Sequence, residues 1–426
     1  MSDGSGQIAA TPAREASPRG PWLVLLAVLI VVVLLAAAGS GVWLLRSGDT
    51  VPGPIVGAPD TQSPATTGPP TTLAAPVLAT GKPSFDAGMT EVARFVEQTR
   101  GLQFKDTVQV QLLDDDAFNR VLLSDFDAGI GDLRKTEVAL KALGLVPASR
   151  DLVADVRRSY SAGIIGFYDP KSSSLVLRGT ELTPFTRSTL AHELTHALDD
   201  QWFNLDRPEL DQADDEALWG FQALVEGSAS WVEDAWTASR PVTEQAQARA
   251  EGQAFAAQSN LSDLPPAIVQ VIESPYSLGN DFVSTLTHKG GTAALDEAFR
   301  NPPVSSEQVM HPNRYRSGDQ PVVVSPPPAD AAVVDDGQLG ELGLNQVMST
   351  AIAPAIARQA GEGWGGDHFV VWRTAAGVSC LRVDVVTDTP LDSEELRSAL
   401  TEWGLLQPSA SVTEPTSGMV RLTTCR

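Results

Sequence analysis

The chain has 426 residues, a formal charge of −23 and 42% hydrophobic residues. That length accommodates two domains with appendages and that apolar share supports a packed core, while so acidic a balance excludes nucleic acid as a partner. Two cysteines, Cys380 and Cys425, allow one intramolecular bridge and exclude a zinc site built from cysteine alone.

Residues 1–21 are largely polar and read as a cytoplasmic tail. Residues 22–45, opening WLVLLAVLIVVVLLAAAG, carry no charge. As a helix they reach about 36 Å, enough for a ~30 Å hydrocarbon core. The run is longer than the roughly 7–15 apolar residues of a cleaved signal peptide, so it predicts a single-pass anchor in the lipid bilayer. Arg14 and Arg19 precede it and Arg46 follows. The positive-inside bias then puts the N-terminus in the cytoplasm and the rest of the chain outside, in the cell membrane's extracytoplasmic space. Residues 46–83, with GPP and TTGPPTT and no hydrophobic period, cannot bury a core and predict a disordered linker.

From residue 84 the pattern is that of a folded α+β protein, with a mainly helical unit over 84–344 and a small α+β unit over 345–426. Val92, Phe95, Val96 and Thr99 mark one helix face, and Val108, Val110 and Leu112 alternate as a strand. Short helices are expected through 116–145. GIIGFYDPKSSSLVLRG (163–179) reads as a hairpin turning at DPKSSS. Thr183-Pro184 supplies an N-cap and a first-turn proline for a helix to about Asp199, and a second long helix spans about Asp211 to Trp236. More helices run to about Arg300, followed by a Pro-rich stretch through Pro328. The C-terminal unit is expected to hold strands near 369–372, 380–386 and 419–424 around a helix over 392–403. Cys380 and Cys425 fall in two of those strands, close enough in pattern for a disulfide across neighbouring strands.

The informative stretch is TLAHELTHALDD (189–200), which contains H-E-x-x-H. Residues four apart on a helix lie one turn and about 40° apart, so His192 and His196 can aim both imidazoles at one cation. Glu193, about 100° round from His192, is placed to take a proton from an activated water. Ideal geometry gathers Thr189, His196, Asp199 and Asp200 on the His192 side and Leu190, Ala191, Leu194, Ala197 and Leu198 on the other. Random order would give this motif about 0.003 times in such a chain, which argues for a bound metal, one Zn2+ per chain. Catalytic zinc usually takes three protein ligands, and Glu226 in ALVEGSAS is the best third, with Glu216, Glu233 and Asp234 as alternatives. Gln222, Ser230 and Glu233 share its helix face, and Gly227, Ser228 and Ala229 would let this helix approach the first.

HELTHALDDQWFNL (192–205) with VEGSAS (225–230) resembles the gluzincin type of zinc metallopeptidase, in which two His and a downstream Glu hold the metal. More narrowly, these blocks with SPYSLGNDFV (274–283), PPVSSEQVMHPNRY (302–315) and GWGGDHFVVW (363–372) are similar to a group of bacterial membrane-anchored metallopeptidases. Asp199 departs from the amide expected there and leaves the ligands untouched. The resemblance implies a zincin-like, mainly helical catalytic domain with a small edge sheet. It also implies hydrolysis of peptide bonds in a protein or peptide substrate, with Glu193 as general base. Asp200 would hold an imidazole nitrogen. His311, Tyr315 and Tyr168 are candidate donors to the tetrahedral oxyanion. Leu175–Arg178 would be an edge strand that pairs with extended substrate. A zinc-stabilised, non-catalytic surface scaffold is the alternative; an intact Glu193 favours the enzyme, because metal binding alone needs no base.

Overall fold

The computed structural model describes residues 83–426 apart from 180 and 260. The predicted tail, anchor and linker up to residue 82 lie outside the described residues. Among the described residues no helix is long and apolar enough to cross a membrane.

The fold is mixed α+β. Helix α1 (Pro83–Arg100) leads to strand β1 (Gln109–Leu113), and α2 (Asp115–Ala142) follows as one continuous helix where the sequence suggested several short ones. Asp114 caps it by accepting from the Ala117 N–H, and Phe118, Leu122, Phe126 and Leu133 bury its inner face despite the glycine at 131. After α3 (Leu152–Gly163), strands β2 (Gly166–Asp169) and β3 (Ser174–Arg178) form the hairpin. The sheet order is β1-β3-β2, with β1 parallel and β2 antiparallel to β3. Leu175–Arg178 is therefore the central strand, which corrects its expected place at the edge. The distant segment around Val110 takes the outer position because Val108, Leu175 and Leu177 share one core with α1 and the following helix. The edge beside that helix is β2.

Helix α4 (Pro184–Phe203) carries the histidine motif, and α5 (Asp215–Ala238) packs against it. A 3-10 turn over Pro208–Gln212 fills the place where the second helix was expected to begin. Helix α6 (Val242–Ala256) lies against α4, and α7 (Pro266–Arg300) packs along α5. Pro275 interrupts the hydrogen bonding of α7, and the hydroxyl of Ser274 donates to the Val271 carbonyl that the proline leaves without an N–H. A Cβ at Gly227 would collide with the Gly279 backbone, and one at Gly279 with the Ala223 carbonyl. The small residues at 227–229 thus bring α5 close to both neighbours, Gly227 to α7 and Ser228 to α4, as the sequence suggested for α4.

One buried charge fastens this helical layer. Arg100, fully buried at the end of α1, donates from Nε to Asp199 Oδ1 at 2.8 Å and reaches Asp296 of α7 at 3.2 Å. The Ser228 hydroxyl on α5 donates to Asp199 Oδ2 at 2.6 Å. The departure at Asp199 thus has a structural reason: its carboxylate ties α4 to α1 and α5, and Arg100 extends the link to α7.

Short helices α8 (Ser306–Met310) and α9 (Pro312–Ser317) precede β4 (Val333–Gly337), α10 (Gly340–Ser349) and α11 (Pro354–Gly361). Strands β5 (Trp364–Arg373) and β6 (Ser379–Thr387), helix α12 (Pro390–Gly404), and strands β7 (Ser411–Thr413) and β8 (Met419–Cys425) complete the chain. The second sheet runs β4-β5-β6-β8-β7, so its first strand comes from before residue 345. Its core is continuous with that of α2 and α3, from Phe118 to Leu422. A disulfide joins Cys380 to Cys425 at directly paired positions of β6 and β8.

Candidate metal centre

Thr183 accepts from the Thr186 N–H and starts α4, with Pro184 in its first turn. Leu190, Ala191, Leu194, Ala197 and Leu198 bury one side completely. The opposite side is polar, as its spacing predicts, and faces α5 instead of water. There the rings of His192 and His196 stand 4.7 Å apart. Both present Nε2 to one oxygen of Glu226, at 3.2 Å from His192 and 3.5 Å from His196. His192, His196 and Glu226 form a buried group whose donor atoms lie within 4.8 Å of one another, able to hold a metal ion. Their exposures are 1%, 4% and 0%.

The fit to a metal rests on what this group lacks. Neither ring nitrogen of His196 makes a hydrogen bond, nor does Glu226 Oε1, nor either carboxylate oxygen of Glu193. Buried polar atoms are nearly always paired, and leaving one unpaired costs about 1–3 kcal/mol. Two imidazoles and a carboxylate converging on one point, with lone pairs unspent, are the donor set of a borderline divalent cation.

The site's electrostatics reflect its burial. Burial pulls the His192 imidazole down, but hydrogen bonds to Glu226 and Glu233 overcome this and bring it to about 10. Burial pushes the Glu226 carboxyl up, yet His196 and His192 hold it below the usual range. For Glu193, burial prevails over the two imidazoles and raises the carboxyl. The Tyr168 N–H is directed at this carboxylate without a well-formed hydrogen bond. That direction follows from strand geometry. The Ile165 carbonyl accepts from the Arg178 N–H, so the backbone groups of Gly166 and Tyr168 point away from β3, toward the free edge.

Of the supporting residues expected from the sequence, several lie elsewhere. Asp200 holds no imidazole: its Oδ2 accepts from the Tyr168 hydroxyl at 2.7 Å and its Oδ1 from the Leu205 N–H at 2.7 Å. Glu233 takes that role, 3.1 Å from His192 Nδ1. It sits seven residues after Glu226, two turns along the same face, and the sequence had grouped the two on that face without giving Glu233 this part. The Tyr168 hydroxyl is committed to Asp200. His311 Nε2 lies 3.0 Å from both oxygens of Glu341, and the Tyr315 hydroxyl donates to the Asn301 carbonyl at 2.7 Å. All three expected oxyanion donors are thus engaged in the fold.

Tyr276, in SPYSLGNDFV, is the polar group the sequence reading passed over. Its ring lies 6.1 Å from that of His192. Burial first, then the carboxylates of Glu226 and Glu193, with a hydrogen bond to Glu226, raises its phenol well above the usual range, so the hydroxyl keeps its proton. Only the neighbouring Pro275 inside the helix signals this position in the sequence.

Comparison with protein-family models, curated proteins and solved structures finds no match. The chemistry of the site therefore stands on its own residues.

Proposed function

We propose that the chain is a membrane-anchored, extracytoplasmic zinc metallopeptidase of gluzincin type, with His192, His196 and Glu226 as ligands. The observation that carries this reading is the convergence of three buried donors beside Glu193, a carboxylate with no hydrogen-bond partner. A bound zinc ion would supply Lewis acidity to a water and to the scissile carbonyl. Glu193, its carboxyl raised by burial, accepts the water's proton and returns it to the leaving amine. Tyr276 keeps its proton beside the ligands, and by leaving its hydrogen bond to Glu226 it would donate to the oxygen that gains charge. Glu233 fixes the ring orientation and tautomer of His192. The outward backbone groups of Gly166 and Tyr168 on β2 offer an extended peptide a strand to pair with, a role first expected of Leu175–Arg178.

Full burial of the donor set favours a second reading, a zinc-stabilised scaffold without turnover. One measurement separates the two. Purified protein should contain one zinc per chain, lost in His192→Ala, and should cleave a peptide library in a chelator-sensitive way. Zinc without cleavage supports the scaffold, and no zinc in either form ends both readings.

A further inference from the structure

Resting on that reading, access to the centre becomes the next question. The three ligands and Glu193 are at most 4% exposed and Tyr276 is 7% exposed, so a polypeptide reaches them only if some element moves. Four walls surround the centre: the edge strand β2 and helices α4, α5 and α7. All but α5 contribute one residue to a small apolar pad, Ile165 leading into β2, Phe185 in α4 and Tyr276 in α7. Phe255 of α6 packs on that pad, with its ring 5.9 Å from that of Phe185. Helix α6 thus closes the place where those three walls meet.

The attachment of α6 is slight. Gly252 is its one buried residue. Besides Phe255, Glu251 holds it, accepting the Phe185 N–H at 3.1 Å, while Gln247 donates to the other Glu251 oxygen at 2.8 Å. Both links end on the same residue of α4. The helix's own sequence, VTEQAQARAEGQAFA, is rich in alanine and in long polar residues of high helix propensity, so it can keep its shape when it lets go. Elements with few buried contacts open at the lowest free energy.

We propose that α6 is a movable cover over the metal centre, latched on Phe185 by Phe255 and Glu251, and that its release admits the peptide to β2 and the metal. The test uses the full chain in detergent, with two readouts that do not require turnover. Hydrogen exchange should show amides of 242–256 exchanging about 100-fold faster than those of 189–199. Zinc loss to an excess of chelator should be about 10-fold faster in Phe255→Ala and in Glu251→Ala than in the parent chain. Leu422→Ala, a core truncation in the distant sheet, controls for general destabilisation and should leave that rate unchanged. Exchange in α6 as slow as in α4, or zinc loss unaltered in both latch variants, overturns the cover. If no form of the chain takes up zinc, the metal reading fails instead, and exchange alone decides whether α6 opens.

Discussion

The contact between α4 and α5 contains two buried polar points, and they are built in opposite ways. At Asp199 both carboxylate oxygens are bonded, one to Arg100 and one to Ser228. One turn earlier on α4, His196 has no hydrogen bond at all, Glu226 leaves one oxygen unpaired and Glu193 leaves two. The same helices, at the same depth, satisfy both oxygens of one carboxylate, although Arg100 Nη1 stays unpaired, and leave five ring and carboxylate atoms of the other group without a partner. Burial alone does not explain the difference, because a fold selected only for stability would pair or replace such groups. Asp199 serves the structure; the incomplete group could hold a metal ion.

The sharpest way to break this comparison is Glu193→Gln. The amide keeps the shape and loses the base, so turnover should fall by about 10²–10⁴-fold with zinc content unchanged. Activity equal to the parent would place Glu193 with Asp199 as a structural group. Arg100→Leu probes the other point. It strands the buried Asp199 carboxylate and should cost about 3–5 kcal/mol in denaturant unfolding, whereas zinc content of the folded fraction stays at one per chain. A loss below 1 kcal/mol would mean that Asp199 is not the anchor its bonds suggest. Glu233→Gln lies between the two in kind, touching His192 from behind. It should weaken zinc binding by about 10–100-fold and leave folding intact. Unchanged affinity would assign the Glu233 contact to packing.

Much of this was legible in the sequence because the information is local. Helical spacing alone puts His192, His196 and Glu193 together, and Thr183-Pro184 marks where their helix starts. Glu226 was reachable from its own helix face, since Gln222, Ser230 and Glu233 share it. What failed was long-range. No local pattern tells that β1, some 60 residues upstream, displaces Leu175–Arg178 from the edge. Asp200 has the right spacing from His196 to hold a ring, but the Tyr168 hydroxyl on β2 claims it first. Tyr276 lies on a helix more than 70 residues beyond His192 and reaches the centre only because α7 packs glycine to glycine on α5. The polar hydroxyls that the sequence did single out, on Tyr168 and Tyr315, are equally suitable chemically and are consumed by partners that only the fold brings near.

A third polar point on α5 extends the comparison and gives the smallest expected effect. At its N-terminal end Asp215 and Glu216 are buried without a cation. Asp215 accepts from the Gln338 N–H at 2.9 Å, and Glu216 accepts from the Ser306 N–H and hydroxyl, each at 2.7 Å. Burial above all, then the neighbouring carboxylates Asp214 and Asp367, joined for Asp215 by Asp335, pushes both carboxyls up to about 8. Folded, the pair keeps its protons at neutral pH; unfolded, it releases them near the ordinary 3.8 and 4.5. Between those limits the unfolded chain binds fewer protons than the native one, so stability falls as pH rises and levels off above about 8. His311 adds to the fall at its upper end, because Glu341 raises its pKa in the fold and that contribution is lost as pH climbs through the raised value. The metal-free chain, held in chelator, should therefore melt about 5 °C lower at pH 8 than at pH 5.5. Asp215→Asn with Glu216→Gln should flatten part of that slope, the rest coming from Glu307, raised to about 8, Asp335, raised to about 7, and His192, raised to about 10. It should leave the acid limb below pH 4.5 in place, to which the lowered carboxyls of Glu137 and Asp151 contribute. A melting temperature that holds or rises over this range would show that Asp215 and Glu216 are ionised in the fold.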